Sequence, residues 1–316
     1  MTVKTKGTDA PLHKKILPIS ELLVVLSLFI MLKLSDTVSA GAWSGLVLTA
    51  GTILPSVFPF MVLGDFLSCY ISNNGLGFFE GLATRTLRIE KQELGIAIGG
   101  LLCGFPSSAR AVSEAYLDKR IDEDSAIRLC ALTSNPSPAF IIGAIGAGLF
   151  GNTLIGAALF LSLLMSVFST SLLFGKKRQK RPFPDIIAKQ KYSFVESVKK
   201  AGMASVTVFS FVTLFCTLIE ILKHFIGGGV LFSLLVTTLE VSTALVHLLT
   251  ACNLPRAAIY ALVGFSIGFG GLCANLQCAA FLSESGIKVG KFFIVKFTCG
   301  LICAAFSALL LVFSPA

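Results

Sequence analysis

The sequence predicts an all-α, polytopic membrane protein built as an inverted-topology repeat, with two re-entrant helical hairpins and discontinuous helices. Three observations carry that prediction. First, only 14% of the 316 residues are charged and 54% are hydrophobic, with a mean hydropathy of +0.85. A soluble domain averages about 25% charged residues, so there is too little charge here to cover a surface facing water. Second, the apolar residues gather into runs of membrane-crossing length, about 20 residues each. Third, several runs are broken by polar or proline-bearing sequence, in matching order on either side of a basic loop. The composition alone excludes a soluble enzyme, a disordered chain and a nucleic-acid-binding domain.

Taken in order, the first unit is 1–40. Its basic segment 1–15 precedes the apolar run 16–34, which has no small-x-small cleavage site and is long enough to span, so it reads as a retained first helix with a cytoplasmic N-terminus. The second unit, 41–174, holds a span at 51–71 and a surface helix at 76–89 carrying Arg85 and Arg88. An interrupted segment follows at 94–117, then spans at 126–150 and 153–174. A basic cytoplasmic linker, 175–200, contains Lys176-Lys177-Arg178-Gln179-Lys180-Arg181 and acts as an orientation anchor. The last unit, 201–316, is the second, inverted repeat: a span at 201–222, an interrupted segment at 229–250, and spans at 257–282 and 292–313.

Charge distribution sets the orientation. The net charge of +9 sits between apolar runs, where it reads as topology and attraction to anionic lipid. If each interrupted segment returns to its starting side, only Lys33, Arg110, Lys223 and Arg256 of the 26 lysines and arginines fall off the cytoplasmic side; Lys288, Lys291 and Lys296 then count with the cytoplasmic charges. Treating those segments as kinked full spans would export the Lys119/Arg120 loop, so the count favours hairpins.

The two halves resemble each other in order. Phe58-Pro59-Phe60, Pro106-Ser107-Ser108-Ala109 and Thr133-Ser134-Asn135-Pro136-Ser137-Pro138 precede an unbroken span. Phe209-Ser210-Phe211, Val241-Ser242-Thr243-Ala244 and Gly268-Phe269-Gly270-Gly271-Leu272-Cys273-Ala274-Asn275 precede another. Unwound backbone in lipid leaves N–H and C=O groups unpaired at several kcal/mol each. The breaks at 104–109, 133–138, 240–244 and 268–275 must therefore face protein, water or a solute. Helix N-termini at such breaks suit an anion, and freed carbonyls suit a cation. Such a site needs no cofactor, though a coupling ion, Na⁺ or H⁺, is compatible with it.

Each candidate side chain has a functional and a structural reading. Ser107 and Ser108 cap the helix after Pro106 and line a cavity, or bond back to the carbonyls of a kinked span. Asn135 and Ser137, set against Pro136 and Pro138, offer polar groups to a solute or mark a packed kink. Arg110 is a counter-ion for an anionic substrate, or the i,i+4 partner of Glu114. Glu240 binds a substrate hydroxyl, carries a coupling proton or pairs with a cation; in a shallower hairpin it sits in water. Ser242, Thr243, Asn275 and Gln277 complete the cavity set, the last two alternatively as interhelical hydrogen bonders. Asp65, Glu196 and Glu220 read as interfacial, and the glycines at 95, 99, 100, 143, 146 and 148 as helix-packing residues. The nine cysteines lack paired C-x-x-C spacing and read as packing residues. With only His13, His224 and His247 beside them, no metal site is expected. No nucleophile–base pair, H-E-x-x-H or Walker pattern appears, so an enzyme is not expected.

Leu101-Leu102-Cys103-Gly104-Phe105-Pro106-Ser107-Ser108-Ala109, Arg128-Leu129 with Thr133 to Ile141, and Gly268-Phe269-Gly270-Gly271 with Gln277 resemble the nucleoside-recognition (Gate) domain membrane proteins. The likeness runs over roughly 40–312 and is strongest to the YlbJ-type sporulation integral membrane proteins. It implies inverted repeats with hairpins, in company with concentrative nucleoside transporters, spore maturation proteins and ferrous-iron transporter gate domains. For the YlbJ-type branch it implies dipicolinate movement from mother cell to forespore, across the outer forespore membrane. The expectation is thus a multi-pass bacterial membrane protein acting as a secondary transporter for a small anionic solute. Its partners would be the solute and the bilayer, with no nucleic acid, and a homo-oligomer or a sporulation membrane partner is allowed. A nucleoside-type transporter is one alternative, although Phe105-Pro106-Ser107-Ser108 departs from the Gln/Thr/Glu-bearing tip of those proteins. A non-transporting sporulation scaffold or assembly factor is the other.

Overall fold

The computed structural model describes residues 19–77, 80–87, 89–90, 93–174, 193–250 and 254–312, and the elements of the described residues are all helices, without strands. The basic segment 1–15, Arg88, Lys91, Cys252 and the Lys176–Arg181 cluster lie outside them.

Helix α1, Ile19–Lys33, gives way at Leu34 to α2, Ser35–Leu48. No helix is expected from the sequence between 34 and 51, yet α2 runs through a wide π-helical turn, Thr49–Ile53, into α3, Leu54–Asn74. Together they make one 40-residue apolar helix, Ser35–Asn74. Pro55 explains the wide turn. A proline ring clashes with the carbonyl four residues back and leaves it without a donor, and a π turn relieves both problems without ending the helix.

A short helix α4, Glu80–Leu87, stands where a surface helix is expected. Then come α5, Leu94–Cys103, and α6, Ser107–Leu117, which pack on each other across a tight turn at Gly104–Pro106. Ten or eleven residues reach only about 15–17 Å, half of a hydrocarbon core of about 30 Å. The expected span 126–150 is divided: α7, Glu123–Thr133, a non-helical stretch 134–137, and a wide π-type helix, Phe140–Leu149. Asp122 caps α7 by accepting from Ser125 N at 2.8 Å. Helix α8, Thr153–Phe174, matches its expected bounds.

In the second half, α9, Phe194–Ile226, is 33 residues long, well beyond the expected 201–222. Two ten-residue helices follow, α10, Val230–Leu239, and α11, Val241–Thr250, which pack together. Helices α12, Arg256–Phe269, and α13, Gly271–Glu284, are separated only by Gly270, and α14, Gly290–Val312, ends the described chain. Five helices among the described residues are long and apolar enough to cross a membrane, and large apolar side chains such as Trp43, Leu63, Leu154, Met203 and Leu309 face outward. The protein is a multi-pass membrane protein.

Element order repeats: a long helix, a short helix pair, a broken helix, a long helix. Contacts repeat with it. α3 packs on α9 and α8 on α14; α7 touches α14 as α12 touches α8; α3 touches the Phe140–Leu149 helix as α9 touches α13. Small residues permit these approaches. A Cβ at Gly41 or Gly45 would lie 2.7 or 2.6 Å from the Cα of Thr217 or Thr213, so α2 and α9 meet backbone to backbone. Gly264 and Gly268 do the same for α12 against α14.

One lysine is misplaced by the charge count. Lys296, counted among the cytoplasmic charges although the span expected at 292–313 contains it, lies inside α14 with 0% exposure. An apolar run tolerates it because its head reaches polar backbone elsewhere in the fold, as described next.

Candidate functional site

All four helix breaks are narrower than expected: 104–106, 134–137, Glu240 and Gly270. In each half the short helix pair docks its turn on the following break. Phe105 N donates to Asn135 O at 3.2 Å, and a Cβ at Gly104 would fall 2.5 Å from that same oxygen. A Cβ at Gly271 would likewise fall 2.9 Å from Leu239 O, beside Glu240. Both glycines have positive φ (+71° and +67°), a conformation that lets backbone meet backbone without a side chain between.

The two docked pairs face one cavity. Cys103 and Phe105 come from the first turn, Pro136 and Ser137 from the first break, Glu240 to Ser242 from the second turn, and Gly270, Cys273, Ala274 and Gln277 from the second break and α13. Ile53, Val57 and Met61 of the long N-terminal helix and Val208 and Val212 of α9 close the sides. The cavity has a volume of about 40 Å³, room for about three waters.

Of the site residues expected from sequence, Ser137, Glu240, Ser242 and Gln277 line this cavity. Glu240, 4% exposed, caps α11: its two carboxylate oxygens accept from Ser242 N at 3.0 Å and Thr243 N at 2.7 Å. Its negative charge thereby satisfies N–H groups that a helix start leaves open. Gln277, 1% exposed, donates to Cys273 Sγ at 3.4 Å, and its Oε1 has no hydrogen-bond partner among the described residues. It is the open acceptor of the cavity wall.

The remaining expected residues lie beside the cavity and are occupied by the protein. Ser108 Oγ shares a hydrogen bond of 2.9 Å with Ser134 Oγ, while Ser107 begins α6 half-buried. Asn135 donates to Leu132 O at 2.7 Å, and Asn275 to Phe269 O at 2.9 Å. Thr243 Oγ1 is 3.7 Å from Cys216 Sγ. Arg110 forms its i,i+4 pair with Glu114 at 3.1 Å and donates to Lys200 O at 2.9 Å, and Lys200 Nζ reaches the other Glu114 oxygen at 2.8 Å. Ser197 Oγ donates to Asp65 Oδ2 at 2.6 Å. These contacts make a polar fastening of α6 and α3 to the start of α9.

Two features escaped the sequence reading. Glu93, 2% exposed, pairs with Arg128 at 3.0 Å, a buried link from α5 to α7. Lys296 Nζ donates to Ser134 O at 2.7 Å and to Asn135 Oδ1 at 2.8 Å, so α14 of the second half holds open the break of the first. The signal was present: an ionisable residue within an apolar run is a functional candidate in its own right. Every cysteine among the described residues is free. All are buried except Cys69, which is half-buried, and together they fit a packing role.

Over 312 residues, 84% of this chain and 76% of the relative, the sequence is 23% identical to the sporulation integral membrane protein YlbJ of Bacillus subtilis (strain 168). No family model matches the chain, and no solved structure matches it. The chain is a multi-pass membrane protein similar to that sporulation protein.

Proposed function

We propose that this protein is a secondary transporter for a small anionic solute, bound where the four helix breaks converge and moved by alternating access between two inverted repeats. The observation that carries the reading is the shared cavity: both short helix pairs and both broken helices, drawn from separate halves of the sequence, line one chamber. Short helices that stop at mid-depth and discontinuous helices around a central site are the working parts of many transporters of this kind. The reciprocal contacts between the halves support the inverted repeat, and helices of about 15 Å support re-entrant hairpins.

Similarity to a sporulation integral membrane protein supports a role in sporulation; in this reading the solute is dipicolinate, a planar dianion, and the location the outer forespore membrane. The Gate-domain relationship belongs to the same reading. A coupling ion, H⁺ or Na⁺, would use the carboxylate of Glu240 and the open oxygen of Gln277. Arg110 joins the solute only when its bonds to Glu114 and Lys200 open.

Reconstituted protein should take up labelled dipicolinate into proteoliposomes with saturation, and Ser137→Phe, which fills the chamber, should abolish uptake without unfolding the protein. Folded protein that moves neither dipicolinate nor nucleosides overturns the transporter. The smallness of the chamber favours the second reading, a non-transporting scaffold; co-purification with a stable membrane partner, together with absent uptake, would establish it.

A further inference from the structure

We infer that Lys296 is the charge-selecting group of the cavity: its ammonium holds the first helix break while the site is empty and turns to a carboxylate of the solute when one enters. The inference deepens the transporter reading and rests on it.

An ammonium has three donors and no acceptor. Two of those on Lys296 go to neutral oxygens, Ser134 O and Asn135 Oδ1. Among the described residues no carboxylate forms an ion pair with it. The other cations in the protein interior are served differently: Arg110 and Lys200 share Glu114, and Arg128 has Glu93. Taking an ion out of water is costly, and a counter-charge is the usual compensation. Lys296, fully buried within a membrane helix, has carbonyl dipoles in that place. Glu240, whose two oxygens cap the start of α11, forms no ion pair with Lys296 among the described residues.

Position completes the case. A Cβ at Gly270 would lie 3.9 Å from Lys296 Cε and 3.8 Å from the ring of Phe105, and both Gly270 and Phe105 line the cavity. Gly270, which has no side chain and a φ of +86°, thus stands beside the lysine stem at the chamber wall. On the other flank, Asn135 directly precedes Pro136 and Ser137, which line it too. By releasing Asn135 Oδ1, the flexible lysine head gains the chamber. A carboxylate arriving there meets a cation without a counter-ion and the open wall beside Gly270. A neutral solute of the same shape gains nothing from the exchange.

The test uses the purified full-length chain and thermal unfolding, with dipicolinate and its uncharged diamide as probes. Dipicolinate should raise the melting point of the unaltered protein and the diamide should not. Lys296→Gln should weaken the dipicolinate response at least about tenfold, as loss of a charge-assisted hydrogen bond requires. Asn135→Asp is the second variant and decides the matter if Lys296→Gln does not fold. It places a carboxylate where an oxygen now stands 2.8 Å from the ammonium, so it should raise the ligand-free melting point and remove the dipicolinate response. A lysine that only pins the break would keep that response in Asn135→Asp. Retention by both variants overturns the role of Lys296 alone; no response of the unaltered protein to dipicolinate overturns the anion reading with it.

Discussion

Glu240 stands on a helix break of the second half and Lys296, from α14 of that same half, reaches the break at 134–137 of the first; each is bonded to backbone groups that a continuous helix would have consumed. Glu240→Ala leaves two N–H groups without acceptors and should cost about 1–3 kcal/mol, read as a lowered melting point in detergent. Glu240→Gln keeps one acceptor and should cost less, while uptake loses its response to an imposed pH gradient. The buried Glu93–Arg128 pair is the sharper stability test. Glu93→Ala breaks that buried pair and should cost about 3–5 kcal/mol, and the double change Glu93→Leu, Arg128→Met should recover most of it. Sequence pattern pointed to Glu240 because a carboxylate amid apolar residues is conspicuous. It did not reveal the capping role, since Glu is not among the usual capping residues. Lys296 was hidden for a related reason: counting charges by side treats a lysine near the end of an apolar run as loop, and only the three-dimensional partner shows otherwise.

Helices end where their breakers stand, and that much was legible. Pro106, the Pro136/Pro138 pair and Gly270-Gly271 mark their breaks within a residue or two. Extension was not legible. The helix Ser35–Leu48 has modest hydropathy and no side-chain cap, and Gly41 and Gly45 seat it against α9. Gly45→Leu should therefore separate α2 from α9, costing about 1–3 kcal/mol as overpacking usually does, while the same change at Gly143, which has open space around it, should leave the melting point nearly unmoved. The glycines at 95 and 99 pack on α3 as expected, whereas 143 and 148 make no such close approach to a neighbouring helix. Spacing alone does not tell which face of a glycine-rich helix meets a neighbour.

At the scale of the molecule, α6 is fastened to α9 by Arg110, Glu114 and Lys200, a link between the first short pair and the first long helix of the second half. Alternating access requires such a link to open. Joining Glu114→Cys to Lys200→Cys with a short thiol-reactive linker, in a chain stripped of its other cysteines, should halt uptake, and cleaving the linker should restore it. Unimpeded uptake in the joined protein would show that this end does not move. Polytopic helical character followed from composition, and the order of breaks followed from motif order. The chamber did not, because no one-dimensional pattern reports which breaks meet.

The unbroken helix Ser35–Asn74 has one more implication. At 1.5 Å per residue it measures about 60 Å, twice the hydrocarbon thickness it must live in. It therefore leans steeply or carries one end out among the headgroups, and α9, seated against α2, shares that fate. Bilayer thickness becomes a load on the molecule. Lengthening the acyl chains of the host lipid should right these two helices, and turnover should vary with chain length.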